Sequence, residues 1–207
     1  ALLTGQGSRV ALLTTAPFQD VLLIGHQDRP DLFALDIRKR QPLYETVVGV
    51  DERVTSDGTI EQGLDLRHAR EQIVALKERG TQSLAICLLN SYVNSTHELA
   101  LAGLARDVGF ENISVSSQLS PIAKFVDRCE TTVTDAYLGP IVRRYLTTLY
   151  QQFGAEADVR LRVMTSSGGL VDYRDYSGND SVLSGPAGGV VALERLSQAM
   201  GSRAPQR

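Results

Sequence analysis

A chain of 207 residues, 43% hydrophobic and 22% charged, can form one large domain or two small lobes with a real core, which excludes the disordered and fibrous classes. A formal charge of −3, from 21 basic and 24 acidic residues with no basic stripe, argues against a nucleic-acid partner; no apolar run approaches the roughly 20 residues that cross a bilayer. Two cysteines, Cys87 and Cys129, make neither a disulfide scaffold nor a metal-ligand spacing and fit a reducing, cytoplasmic setting, and the N-terminus reads as no secretory signal.

Val10-Ala11-Leu12-Leu13 reads as a short buried strand, and Pro17 fits the first turn of a helix reaching Ile24 and stopped by Gly25. Gln27-Asp28-Arg29-Pro30-Asp31 is a polar turn. Residues 32–64 are β-branched and alternating, with turn chemistry at Asp57-Gly58, and predict antiparallel strands or a hairpin inserted in the lobe. Asp65 is placed to cap a helix with apolar positions Leu66, Ala69, Ile73 and Leu76, ended by Gly80.

The unbroken apolar run from 83 to 89 predicts a strand covered on both faces. Ser95-Thr96-His97-Glu98 is a capping-box pattern opening a helix through Leu101, Leu104 and Val108 to Gly109, and a short strand follows at 113–117. Strand, helix, strand, helix, strand predicts an α/β fold with a mixed, largely parallel sheet and flanking helices. From 129 to 153 apolar residues repeat at helical spacing, but Pro140 lies inside and predicts a kink or a break. Leu161-Arg162-Val163-Met164 reads as a strand entering the turn Ser166-Ser167-Gly168-Gly169, and a last helix begins at Pro186 or Ala187.

Two glycine-rich segments can carry chemistry. Ser166-Ser167-Gly168-Gly169 is either an anion site or a tight turn, and Ser184-Gly185-Pro186-Ala187-Gly188-Gly189 is either an anion site at a helix start or a close helix contact. Neither is a Walker A or dinucleotide fingerprint. Asp127, Arg128, Glu130 and Asp135 complement a helix N-terminus, or else anchor substrate. His26, His68 and His97 are scattered and predict no metal site, and Cys129 is a reactive thiol near a helix start or an ordinary buried one.

Ordered segments along nearly the whole chain resemble the hydantoinase A and 5-oxoprolinase family. They are Phe18-Gln19-Asp20-Val21-Leu22-Leu23-Ile24-Gly25-His26-Gln27, Asp31-Leu32-Phe33, Val50-Asp51-Glu52-Arg53-Val54, Asn90-Ser91-Tyr92 with His97-Glu98, Thr132 with Asp135-Ala136-Tyr137-Leu138 and Pro140, Ser167-Gly168-Gly169-Leu170, and the run from Val182 to Val191. Asp135-Ala136-Tyr137-Leu138 and Tyr176-Ser177-Gly178 look more like the 5-oxoprolinase branch than the acetone carboxylase branch. Gln118, Phe125-Val126-Asp127-Arg128 and Ser166-Ser167 stand where the family more often has Glu, Glu-Tyr-Glu-Arg and Ser-Asn or Ser-Asp, which bears on the substrate.

The resemblance implies an internal piece of an enzyme that opens 5-oxo-L-proline to L-glutamate with ATP cleavage, through a phosphorylated amide oxygen, in glutathione metabolism. Hydantoins, other lactams, ketone carboxylation or a non-catalytic actin-like scaffold are the alternatives. It implies part of an actin-like (ribonuclease H-like) ATPase domain: 1–125 an α/β lobe with the β-rich insertion at 32–64, and 126–207 a long helix, strand, glycine turn and the start of a second lobe.

ATP and Mg²⁺ are implied for the full-length enzyme, held by DxGGT-like hairpins that this sequence lacks, so this chain alone is expected to hold neither and to be inactive. Expected partners are a cyclic amide substrate, the rest of the polypeptide or a hydantoinase B type subunit, and further copies of the full-length protein. Implied site residues are Arg128 and Asp135 as catalytic groups, Ser166, Ser167, Gly168 and Gly169 for substrate, and Ser184, Gly185, Gly188 and Gly189 at a hinge near the nucleotide, with no metal ligands.

Overall fold

The computed structural model describes residues 2, 4–27, 33, 35, 41–154 and 160–199, and the chain divides into two compact units, 1–138 and 139–207. The expected turn at 27–31 and the start of the 32–64 insertion lie largely outside the described residues.

In the first unit, β1 (Val10–Thr15) is followed by a 3-10 turn, Ala16–Phe18, and the one-turn helix α1 (Val21–Ile24), so the single helix expected here is interrupted. Gly25 ends it at φ 57°, in the left-handed region that glycine enters without a Cβ penalty. β2 (Thr46–Val50) then pairs parallel with β1, from Ala11 opposite Thr46 to Thr15 opposite Val50. This corrects the expectation of antiparallel strands throughout 32–64. Only β3 (Arg53–Val54) and β4 (Ile60–Gln62) form an antiparallel hairpin.

Asp65 caps α2 (Leu66–Glu78), its Oδ1 accepting from the amides of Arg67 and His68 at 3.0 Å each. Next come β5 (Ser83–Cys87), α3 (Thr96–Asp107) and β6 (Asn112–Val115), in a four-stranded parallel sheet of order β2-β1-β5-β6. All its pairings are parallel, in keeping with the largely parallel sheet and flanking helices expected. A further one-turn helix, α4 (Ser116–Leu119), sits at the end of β6.

Side chains of a strand alternate between faces, and here both faces are covered. Ala11, Leu13, Leu84 and Ile86 pack on Ala69, Ile73 and Leu76 of α2 and on Leu101 and Ala105 of α3. Val10, Leu12, Ala85 and Cys87 pack on Cys129, Val133, Ala136 and Tyr137 of the long helix α5 (Phe125–Gly154). Each buried Val, Leu or Ile among them contributes about 1.5–3 kcal/mol by leaving water, and the alanines much less. This packing ties the N-terminal part of α5 to the sheet of the first unit.

α5 is one helix with Pro140 inside it, so the chain does not break there. The proline lacks a backbone N–H, and one carbonyl of the preceding turn goes without its helical donor.

In the second unit, β7 (Arg162–Met164) and β8 (Leu170–Asp172) pair antiparallel. The expected glycine turn joins them, with Gly168 at φ 86°. α6 (Ser184–Ala199) starts at Ser184, ahead of the proline expected to open it. No helix among the described residues is long and apolar enough to cross a membrane.

Candidate functional site

The chain passes from β1 to its neighbour β2 on one side and returns to β5 on the other, which places a reversal of strand order between β1 and β5. Loops leaving the carboxyl ends of such strands diverge there, and α/β proteins bind ligands in the crevice they leave. Beside that point, on the β2 side, a cleft of about 800 Å³ opens at the carboxyl ends of β1 and β2, lined among others by Thr15, Phe18, Asp51, Glu52, Arg53 and Glu61.

Beneath it, Glu52 is buried and both its oxygens are engaged. Thr15 Oγ1 donates to Oε1 at 2.5 Å, and His97 Nδ1 is hydrogen-bonded to Oε2 at 2.7 Å. Thr15 Oγ1 also accepts from the Leu89 amide at 3.0 Å, so one chain of contacts links β1, the segment after β2, the loop after β5 and α3. Asn90 Nδ2 to Val54 O at 2.8 Å and Asn94 Nδ2 to Gly58 O at 2.9 Å fasten the same loop to the β3–β4 hairpin.

A second buried network lies at the ends of β5 and β6. Glu98 accepts from the Leu88 amide at 2.8 Å, the Ser116 hydroxyl at 2.6 Å and the Ser117 amide at 2.9 Å. The capping box is therefore not formed: Ser95 makes no side-chain cap, and Asn94 Oδ1 takes the Thr96 amide at 3.1 Å. Glu98 turns inward because its buried position offers three donors, whereas a cap offers one.

Arg128, fully buried, donates to Ser91 Oγ, to Ser116 Oγ at 2.7 Å and to Leu88 O at 3.0 Å, with Glu98 Oε1 at 4.0 Å. The rings of Phe125 and Tyr92 lie 5.5 and 5.7 Å from its guanidinium carbon. The side chain is enclosed by protein on every side, so it fixes loops.

Asp135 is nearly buried and accepts from Ser114 Oγ at 2.6 Å. Arg128 and Asp135 thus both belong to the first unit, on the part of α5 that faces its sheet, while Ser166 to Gly169 and Ser184 to Gly189 belong to the second. There Ser166 Oγ donates to Asp180 O at 2.7 Å and accepts from the Leu183 amide at 3.0 Å, tying the glycine turn to the approach to α6. Thr165 Oγ1 and Ser167 Oγ share a hydrogen bond at 2.8 Å, and Gly169 N donates to Thr165 Oγ1 at 3.2 Å.

At the start of α6, Ser184 Oγ is engaged with Ser181 O at 3.3 Å, and a Cβ on Gly188 would lie 3.8 Å from the Met164 side chain. That hydroxyl is turned back on its own chain, and the sequence carries no DxGGT pattern.

One group among the described residues brings metal-ligating atoms together: His26, Asp127 and Glu130, within 4.8 Å of one another. Sequence spacing concealed it, because His26 lies far from the other two along the chain. His26 Nε2 and Asp127 Oδ1 pair at 2.7 Å, both partly exposed, and Lys124 Nζ lies 3.8 Å from the same carboxylate.

Cys87 and Cys129 are both buried and free. Its hydrogen bond with Cys87 and then burial push the Cys129 thiol well above its ordinary range, so the reactive-thiol alternative is the less favoured one.

Residues 1–109 match the hydantoinase/oxoprolinase N-terminal region, and residues 128–204 match the hydantoinase/oxoprolinase domain that follows it. A 5-oxoprolinase of Saccharomyces cerevisiae is 39% identical over 89% of this chain and 16% of that protein. Among solved structures, the ATP-dependent caprolactamase of Pseudomonas jessenii superposes with TM-score 0.83 at 26% identity, and a nucleotide-free acetone carboxylase with TM-score 0.79 at 23%; each likeness covers 97% of this chain and 30% of the other. The chain spans about a sixth of the length of the curated relative. Its parallel sheet with flanking helices is the α/β fold of those actin-like ATPase-type proteins. With both family regions matched in order over most of its length, this chain belongs to the hydantoinase/oxoprolinase family.

Proposed function

We propose that the full-length protein is an ATP-dependent cyclic amide hydrolase that opens 5-oxo-L-proline to L-glutamate. The observation that carries this reading is the 39% identity to a 5-oxoprolinase over 89% of the chain. ATP and Mg²⁺ belong to the full-length protein in this reading, with their phosphate-holding groups outside the residues described here. The setting is cytoplasmic and the assembly homo-oligomeric, with a hydantoinase B type partner or the rest of the same polypeptide completing the site.

Asp135 is the proposed catalytic group of the first unit, and Ser166, Ser167, Gly168 and Gly169 are the proposed substrate contacts of the second unit, each taken by itself. Arg128, proposed from the sequence as catalytic, acts as a positioning residue because it is enclosed. Ser184, Gly185, Gly188 and Gly189 form a hinge near the nucleotide. The likeness to a caprolactamase favours a second reading, a larger lactam as substrate.

The test is release of ADP and glutamate from ATP and 5-oxo-L-proline by the full-length protein, with this chain assayed beside it. Turnover by the full-length protein alone is the expected result. Opening of caprolactam with no action on 5-oxo-L-proline selects the second reading, and no turnover of either ring overturns both.

A further inference from the structure

Arg53 is the cation in the lining of the 800 Å³ cleft, beside two exposed carboxylates, those of Asp51 and Glu61, while the Glu52 carboxylate is buried beneath them. Among the described residues its guanidinium makes no ion pair; its recorded side-chain partner is the Phe18 ring, 5.8 Å from the guanidinium carbon. Packing on an aromatic face holds the planar group in one orientation while leaving its N–H edges available. The residue before it, Glu52, is locked inward by Thr15 and His97, which fixes the backbone from which Asp51 and Arg53 reach the cleft.

This lining discriminates among ligands. A phosphate-bearing ligand would bring two or more negative charges toward two exposed carboxylates and one guanidinium, which the local field opposes. A small ring with one carboxylate and one amide N–H matches better. Its acid group takes the guanidinium fork, which pairs with carboxylates in a bidentate way. Its N–H donates to Asp51 or Glu61, neither of which has a partner of its own among the described residues. Ala16, Pro17 and Phe18 offer apolar surface to the ring's methylene groups.

We infer that the cleft at the carboxyl ends of β1 and β2 binds the carboxylate-bearing cyclic amide, with Arg53 as the anchor of its acid group. The inference rests on the 5-oxoprolinase reading above and adds to it the residue that selects an acid-bearing ring over a neutral one.

The experiment measures dissociation constants of 5-oxo-L-proline and of 2-pyrrolidinone, the same ring without its carboxylate, by ligand-observed NMR titration. The full-length wild type is compared with Arg53→Gln and Arg53→Lys, and turnover is assayed in parallel. Arg53→Gln is expected to weaken 5-oxo-L-proline by about tenfold to a hundredfold. It should leave 2-pyrrolidinone unchanged, and Arg53→Lys, which keeps the charge but loses the fork, should fall between.

Unchanged affinity for 5-oxo-L-proline in Arg53→Gln overturns the anchor while leaving the 5-oxoprolinase reading intact if the wild type still releases glutamate. Equal weakening of both ligands also overturns it, since the residue would then act on the cleft as a whole. A wild type that neither binds nor turns over 5-oxo-L-proline overturns the parent reading and this inference with it. If Arg53→Gln fails to fold, Arg53→Lys decides alone: selective weakening of the acid-bearing ring supports the anchor, and its absence rejects it.

Discussion

His97 Nδ1 lies 2.7 Å from Glu52 Oε2 although 45 residues separate them in sequence, and both side chains are buried. The pair closes the floor of the cleft and joins α3 to the segment after β2. A carboxylate stripped of one of two buried partners keeps its desolvation penalty and loses the compensation. His97→Ala is therefore expected to destabilise the first unit by about 3–5 kcal/mol. His97→Gln, which can still donate, should lose less. Urea unfolding of the chain checks this, and a midpoint equal to wild type for His97→Ala would remove the pair from the account of the cleft.

The enclosed guanidinium of Arg128 leads to a second prediction. Its fork serves Ser91, Ser116 and Leu88 O together, and Glu98 lies close by. Lysine reaches with a single ammonium and cannot serve three acceptors in that geometry. Arg128→Lys should thus lower stability by about 2–4 kcal/mol, and any loss of turnover in the full-length protein should be accompanied by a lower melting temperature. Lost kcat at an unchanged melting temperature would return Arg128 to a direct role in the chemistry.

These two networks also show where sequence reading stopped. The double-sided apolar runs of β1 and β5 are legible because a parallel strand buried on both faces leaves a local pattern, Val10-Ala11-Leu12-Leu13 and the run from Ser83. β2 is not: half-buried and alternating, it reads the same whether its neighbour runs parallel or antiparallel, and the choice is made by β1, far off in sequence. Glu98 was read from its local spacing to Ser95, yet its partners lie 10, 18 and 19 residues away. Glu52 and Arg53 were visible in the family-like run Val50-Asp51-Glu52-Arg53-Val54. Nothing in that run told which side chain faces inward and which faces the cleft.

Low pH offers a test of the α2 cap. The Asp65 carboxyl is held below the usual carboxylate range by the His68 amide first, and also by the Arg67 amide and nearby charge. Its contribution is complete above the unfolded value of about 3.9 and is lost as pH falls through the lower folded value. Asp65→Asn keeps an oxygen acceptor and should retain the helix while flattening the acid dependence; Asp65→Ala should lose both. Amide exchange of Arg67 and His68 between pH 6 and pH 2.5 separates the outcomes, and an unchanged acid profile in Asp65→Asn would place the dependence elsewhere.

Alkaline pH tests the thiol pair between β5 and α5. Cys129 is raised well above the ordinary thiol range by the hydrogen bond with Cys87 and then by burial, so the folded chain keeps the proton that the unfolded chain releases. Stability from this group is full below the unfolded thiol value of about 8.5 and declines as pH rises above it, because the unfolded state alone ionises there. The native thiols should resist alkylation at pH 8 and react only on unfolding, since the thiolate is the nucleophile. Cys129→Ala removes the titration with little change of volume, and its unfolding midpoint should fall less between pH 8 and pH 10 than that of wild type. Rapid modification of the native chain at pH 8, or identical alkaline slopes for wild type and Cys129→Ala, would show that the thiol is neither shielded nor linked to folding.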